Sequence, residues 1–161
     1  MITVEPVGTV RSPRAAATDD AWGDVVSTIE LNDSVDPSAL EGLEDFSHAE
    51  ILFHLHGVPL QDIRRGTRHP RNNPAFPAVG IFAQRGRARP NRLGVTIVEI
   101  VARRGRELTV RGLDAIDGTP VLDIKPVMVE FLPRTPVRQP AWSHQLMKTY
   151  WRRNEGTRAT S

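Results

Sequence analysis

The sequence predicts a mainly β protein, a small antiparallel β-barrel of about seven strands with a long Pro/Arg-rich loop and a short C-terminal helix. Two observations carry this reading. Seven runs ("TVEPVGTV", "VVSTIEL", "HAEILFHLHG", "AVGIFAQ", "LGVTIVEIVAR", "ELTVRGL" and "TPVLDIKP") are short, rich in Val and Ile, and separated by Pro, Gly, Asn and Asp. They do not alternate with long helical patterns, which disfavours a doubly wound parallel sheet. Closing so many short strands into a barrel removes the exposed edges they would otherwise leave.

Taken in order, the first two runs are followed by "DPSALEGL", a helical candidate with Asp36 as N-cap and Pro37 in the first turn. In "HAEILFHLHG" strand alternation puts His48, Glu50, Leu52, His54 and His56 on one face and Ile51, Phe53 and Leu55 on the other. Residues 57–78 contain four prolines and no clear period, so they read as a long loop. Asp117-Gly118 is a strong turn dipeptide, and Pro120 sets the entry to the last strand. On that strand Asp123 and Lys125 lie opposite Leu122 and Ile124, either as a surface ion pair or facing a ligand cavity. The final element, "PAWSHQLMKTYW", carries Trp142, Leu146, Met147 and Tyr150 at helical spacing.

With 161 residues, 39% of them hydrophobic, the chain suits one domain, here residues 1–152, with 153–161 as a frayed tail. It has no cysteine, which excludes disulfides, thiolate catalysis and cysteine-ligated zinc. Neither a signal peptide nor a run of eighteen apolar residues occurs, so a soluble, cytoplasmic protein without membrane attachment is expected. Charge is unevenly spread. Between Arg64 and Arg92 stand eight arginines and no acid, whereas the remainder holds 13 basic and 19 acidic residues. Arginine forks suit phosphates and carboxylates, so this segment points to an anionic partner such as nucleic acid.

Several constellations bear on chemistry. The histidine-rich face of "FSHAEILFHLHG" has a spacing that barrel metalloenzymes use, so a cupin-like metal site at His48, His54 and His56 stands beside the plainer reading of a polar pocket with no metal. "TDDAWGD" joins acids to an aromatic, suited to a cationic or aromatic ligand or to a surface turn. No GxGxxG, P-loop or Gly-x-Ser-x-Gly pattern is present, which removes the main sequence support for Rossmann enzymes, P-loop NTPases and α/β-hydrolases.

Four segments, "PVGTVRSP", "LEGLEDFSHAEILFHLH", "VGIFAQRGRARPNRLGVTIVEI" and "GLDAIDGTPVLDIKP", resemble in order and spacing the TsaA-like (TrmO) family of methyltransferases over roughly residues 6 to 126. The resemblance implies a small β-barrel that binds S-adenosylmethionine (SAM) near a homodimer interface. It also implies N-methylation of threonylcarbamoyl-modified adenosine in tRNA. Carried over by position, the cofactor contacts would be Leu55, His56, Arg85, Val95, Asp117, Gly118, Thr119 and Pro120, with Asp20, Trp22 and Gly23 from the N-terminal loop. Arg85 and Arg89 would orient the acceptor or its phosphates, Arg87, Arg89 and Arg92 would face an anionic acceptor, and Asp123 or His54 would assist proton removal. The family pattern has Arg-Pro-Asn-Pro-Ile-Gly where this chain reads "RPNRLG", and tyrosine at the position of Val127. Members acting on tRNA often carry a further C-terminal domain that helps hold tRNA, whereas this sequence is expected to add only a single helix after the last strand. A small-metabolite acceptor and a non-catalytic SAM- or RNA-binding barrel therefore remain as alternatives.

Overall fold

A computed structural model describes residues 1–153; the last eight residues, which include nearly all of the expected frayed tail, lie outside the described part. Six strands close into an antiparallel barrel in the order β1-β2-β7-β6-β3-β8. They are β1 (Gly8–Arg11), β2 (Val26–Leu31), β3 (His48–His54), β6 (Leu93–Arg104), β7 (Glu107–Arg111) and β8 (Pro120–Pro126). The remaining two, β4 (Thr67–Arg68) and β5 (Val79–Gly80), form a separate ribbon. The expected barrel is therefore present with six strands, the seventh run having gone elsewhere.

That run is "AVGIFAQ". Only its first residues pair, and Ile81–Ala83 turn into a single 3-10 turn. Ile81 is buried with its N–H on the Gly66 carbonyl, and the Gln84 amide donates to the Arg68 and Val79 carbonyls. These bonds knit the Pro/Arg-rich segment into an ordered structure, where the sequence had suggested a long irregular loop. "DPSALEGL" likewise becomes 3-10 turns, Pro37–Leu40 and Leu43–Asp45, capped by the Asp36 carboxylate on the Ser38 N–H at 2.8 Å. Gly42, at φ +84°, separates the two turns and prevents one continuous helix. The C-terminal helix α1 spans Ala141–Met147.

The barrel interior is filled by alternate residues of its strands: Val10, Ile29, Ile51, Phe53, Val98, Leu108, Val110 and Val121 are essentially inaccessible. On β3 the alternation expected from sequence holds, with Ala49, Ile51 and Phe53 inward. Twelve-residue β6 serves two partners. Its first half, Leu93–Glu99, pairs with β3, and its second half, from Glu99 to Arg104, pairs with β7. The β7 side of residues 93–98 therefore has no strand beside it. That gap, at one mouth of the barrel, is filled by loops and by the C-terminal segment.

Candidate functional site

The turn at Asp117–Pro120 is built by its own chemistry. Gly118 takes φ +79°, and the Ile116 carbonyl accepts both the Thr119 N–H at 3.2 Å and its hydroxyl at 2.7 Å. The turn is locked against β1: Gly118 N–H donates to the Val10 carbonyl and the Val10 N–H to the Thr119 carbonyl. Asp117 donates its N–H to the Arg14 carbonyl and accepts the Ser12 N–H on Oδ1, leaving Oδ2 without a partner among the described residues. A side chain at Gly118 would stand 3.9 Å from His56 Nε2, so the end of β3 and the turn lie side by side, as expected.

Arg85 and Val95 also meet, through a 2.6 Å bond from Arg85 Nη2 to the Val95 carbonyl. It satisfies an acceptor on the unpaired edge of β6. Next to it, Thr96 donates its hydroxyl to Asp114 Oδ1, and Tyr150 donates its phenol to Asp114 Oδ2. Burial first, then the Asp114 carboxylate, push the Tyr150 phenol far above its ordinary range, so it stays a donor.

The N-terminal loop joins these two groups. Arg14 spreads its guanidinium over the Trp22 ring at 4.4 Å and donates to the Asp20 and Ala21 carbonyls and to the Thr18 hydroxyl. Asp20 pairs with Arg71 at 2.9 and 3.2 Å, which holds its carboxyl below the usual carboxylate value. Trp22 is buried, with its indole N–H on the Thr18 carbonyl, and Gly23 is pressed against the Trp151 carbonyl. Trp22 and the bare backbone of Gly23 thus serve packing, while the Asp20 and Ala21 carbonyls are held by Arg14 and the Ala21 and Trp22 N–H groups by residues 149–150.

Other expected site residues stand apart or are otherwise engaged. Asp123 is on the outer face, ion-paired with Lys125 at 2.6 Å, and is separated from Val95 by Leu52 on the intervening strand, about 10 Å away. It borders an apolar hollow of about 390 Å³ lined by Val7, Leu31, Leu40 and Phe46, away from the turn at Asp117. Arg89 donates to the Gln84 and Gly86 carbonyls, and Arg92 to that of Val58, so both shape their own loop. Arg92 takes φ +50°, which a proline ring cannot adopt, so the turn here differs from the family pattern in backbone as well as in residue. His54 is half-buried; burial, then Arg92 and His56, lower its pKa, so it is neutral at physiological pH. His48 bonds to the Ser47 hydroxyl, and among the described residues no three His, Asp or Glu side chains converge as a metal site.

Sequence reasoning missed Arg14, Arg71, Thr96, Asp114 and Tyr150. Asp114 lay within the "GLDAIDGTP" motif and Tyr150 in the apolar helical pattern. Nothing local links either residue to the barrel mouth.

Comparison with known proteins bears on this arrangement. The family model for the tRNA-methyltransferase O N-terminal domain matches residues 10–131. A probable S-adenosyl-L-methionine-binding protein of Pyrococcus abyssi is 36% identical over 86% of this chain and 74% of its own length. Mouse tRNA (adenine(37)-N6)-methyltransferase is 40% identical over 58% of this chain and 21% of the mouse protein. The crystal structure of TrmO from Pseudomonas aeruginosa superposes with a TM-score of 0.69 at 30% identity, covering 86% of this chain and 61% of that one. The barrel fold and these relatives thus place the chain among SAM-dependent methyltransferases built on a β-barrel. Within that class, the chain belongs to the tRNA-methyltransferase O (TrmO) N-terminal domain family. It spans about three-fifths of the TrmO crystal chains.

Proposed function

We propose that this chain methylates threonylcarbamoyl-modified adenosine in tRNA at the barrel mouth, as a cytoplasmic homodimer. The observation that carries the reading is convergence: the turn at 117–120, the end of β3, the Arg85–Val95 contact and the N-terminal loop meet at one mouth beside a segment with eight arginines and no acid. Among the described residues no helix is long and apolar enough to cross a membrane.

The residues present fit SAM. Gly118 presents no side chain, Asp117 has an unengaged carboxylate oxygen for ribose hydroxyls or a cationic group, and Leu55 and Val95 offer apolar flanks. Arg85 supplies positive charge for a carboxylate. When bound, SAM supplies an activated methyl carbon. The protein's own task is to place the acceptor nitrogen in line and to receive the proton that nitrogen sheds. Neutral His54 suits proton acceptance better than Asp123, which is held by Lys125. The side chains of Arg65 and Arg87, which bond to none of the described residues, can meet phosphates, whereas Arg89 and Arg92 act by shaping the loop.

The test is mass spectrometry of tRNA nucleosides from cells with and without this protein, joined to calorimetry of SAM with Arg85→Ala and Asp117→Ala. Loss of the methylated nucleoside on deletion, and weakened SAM binding in both variants, are expected. An unchanged nucleoside profile refutes the tRNA acceptor. A small-metabolite acceptor is the second reading, favoured by the internal use of Arg89 and Arg92. Salt-sensitive tRNA binding separates the two, because phosphate contacts release counterions.

A further inference from the structure

The C-terminal segment after α1 makes contacts out of proportion to its length. Thr149 and Tyr150 offer their carbonyls to the N–H groups of Ala21 and Trp22, at 3.1 and 2.8 Å, so residues 149–151 run as a strap along the N-terminal loop. A methyl group on Gly23 would come within 2.1 Å of the Trp151 carbonyl oxygen, so loop and strap are in direct backbone contact. The Tyr150 ring meets Trp151 edge to face at 4.8 Å. Its phenol passes inward to Asp114, whose other oxygen takes the Thr96 hydroxyl. Thr96 adjoins Val95, whose carbonyl holds Arg85, and Asp114 lies three residues before Asp117. Through Asp114, the Tyr150 phenol thus ties the strap, and the N-terminal loop bonded to it, to β6 and to the segment leading into the turn at Asp117.

The loop needs such a tie. Ala21 takes φ +62°, a left-handed conformation that is unfavourable for a residue with a side chain and persists only where neighbours over-determine it. Its carbonyl is gripped by Arg14 and its N–H by the strap. Without the strap, half of that constraint is gone and the loop is free to relax.

We propose that Tyr150 is a positioning residue: through its hydrogen bond to Asp114 it holds the 149–151 strap against residues 20–23, and so sets the affinity of the mouth for SAM without touching the methyl acceptor. This rests on the reading that the mouth is the SAM site. The strap preorganises the loop, so its loss adds to the cost of binding rather than removing a contact with the ligand.

The experiment measures SAM binding by calorimetry, together with thermal melting, for the full chain and for Tyr150→Phe, Asp117→Ala and a chain ending at Lys148. Tyr150→Phe removes one hydroxyl and is expected to weaken SAM binding by about tenfold, the scale of one lost bond to a charged partner. At saturating SAM its turnover on tRNA should match the wild type, with the whole effect in KM for SAM. Hydrogen exchange at the amides of Ala21 and Trp22 should slow on adding SAM to the wild type and slow less in Tyr150→Phe. A purely structural role would lower the melting temperature and leave SAM affinity and this exchange difference unchanged. If Tyr150→Phe and the Lys148-ended chain, both folded, bind SAM as the wild type does while Asp117→Ala loses it, the strap proposal is wrong and the site reading stands. If the wild type does not bind SAM, or Asp117→Ala binds it normally, the site reading fails and the strap proposal with it.

Discussion

Gly94 sits on β6 directly across from Phe53 on β3, where the two strands pair at the barrel mouth. A methyl group added there would lie 2.4 Å from Phe53 Cε2 and 2.5 Å from Cζ. Ordinary carbon–carbon contacts begin near ~3.5 Å, so the overlap is about 1 Å. Phe53 is 2% exposed and packed among inward side chains of the other strands, so its ring has no space to retreat into. Gly94→Ala should therefore cost about 2 kcal/mol, the middle of the range for overpacking a well-packed core. For a chain of this size each kcal/mol moves the melting temperature by about 2–4 °C, so calorimetry should show a fall of roughly 4–8 °C. Replacing Phe53 by Leu removes the clashing ring atoms. The double variant Phe53→Leu/Gly94→Ala should be more stable than the sum of its single variants predicts, by about 1–2 kcal/mol of coupling. A Gly94→Ala protein melting within about 1 °C of the wild type, or strictly additive variants, would refute the idea that this glycine exists to admit the ring.

Three further outcomes are expected. Arg92→Pro should destabilise by about 2 kcal/mol or more, because φ +50° is closed to proline and the N–H given to the Arg89 carbonyl is lost; urea unfolding checks it, and wild-type stability would show that the turn adapts freely. The Arg71 guanidinium depresses the Asp20 carboxyl, so its pairing stabilises the folded state above the ordinary value of 3.8 and is lost as pH falls through the depressed one. Melting curves of wild type and Arg71→Gln should differ at neutral pH and converge in acid; a constant gap would contradict the pairing. The His54 titration followed by NMR should have its midpoint below 6.5, and Arg92→Met should raise it only in part, since burial is the larger cause. A midpoint above 6.5 would exclude His54 as the neutral proton acceptor.

The legible part of this protein was the part encoded locally. Period-two alternation on β3 placed Ile51 and Phe53 inside, the Asp117-Gly118 turn formed where its residues demand, and Asp36 capped a turn as its side chain allows. Among the binding candidates that sit beside such features, Gly118 in the turn at Asp117 to Pro120 lies next to His56, and Arg85 meets Val95. The errors arose where local pattern left the choice to tertiary partners. "AVGIFAQ" has strand composition, but its backbone groups are satisfied by Gly66 and by the Gln84 amide. Arg89 and Arg92 look identical to Arg87 in sequence, yet nearby carbonyls claim them.

By itself, then, the sequence determined a barrel of short antiparallel strands, an acid-free arginine segment and the turn chemistry of its binding motifs, because each depends on residues close together in the chain. Only the tertiary structure decided that β6 divides between two partners, leaving an edge for Arg85 to cap. It alone decided that Asp123 faces outward with Lys125, and that Tyr150 crosses to Asp114. These are contacts between segments far apart in sequence, and a hydrogen bond or ion pair has no periodicity by which its distant partner can be foreseen.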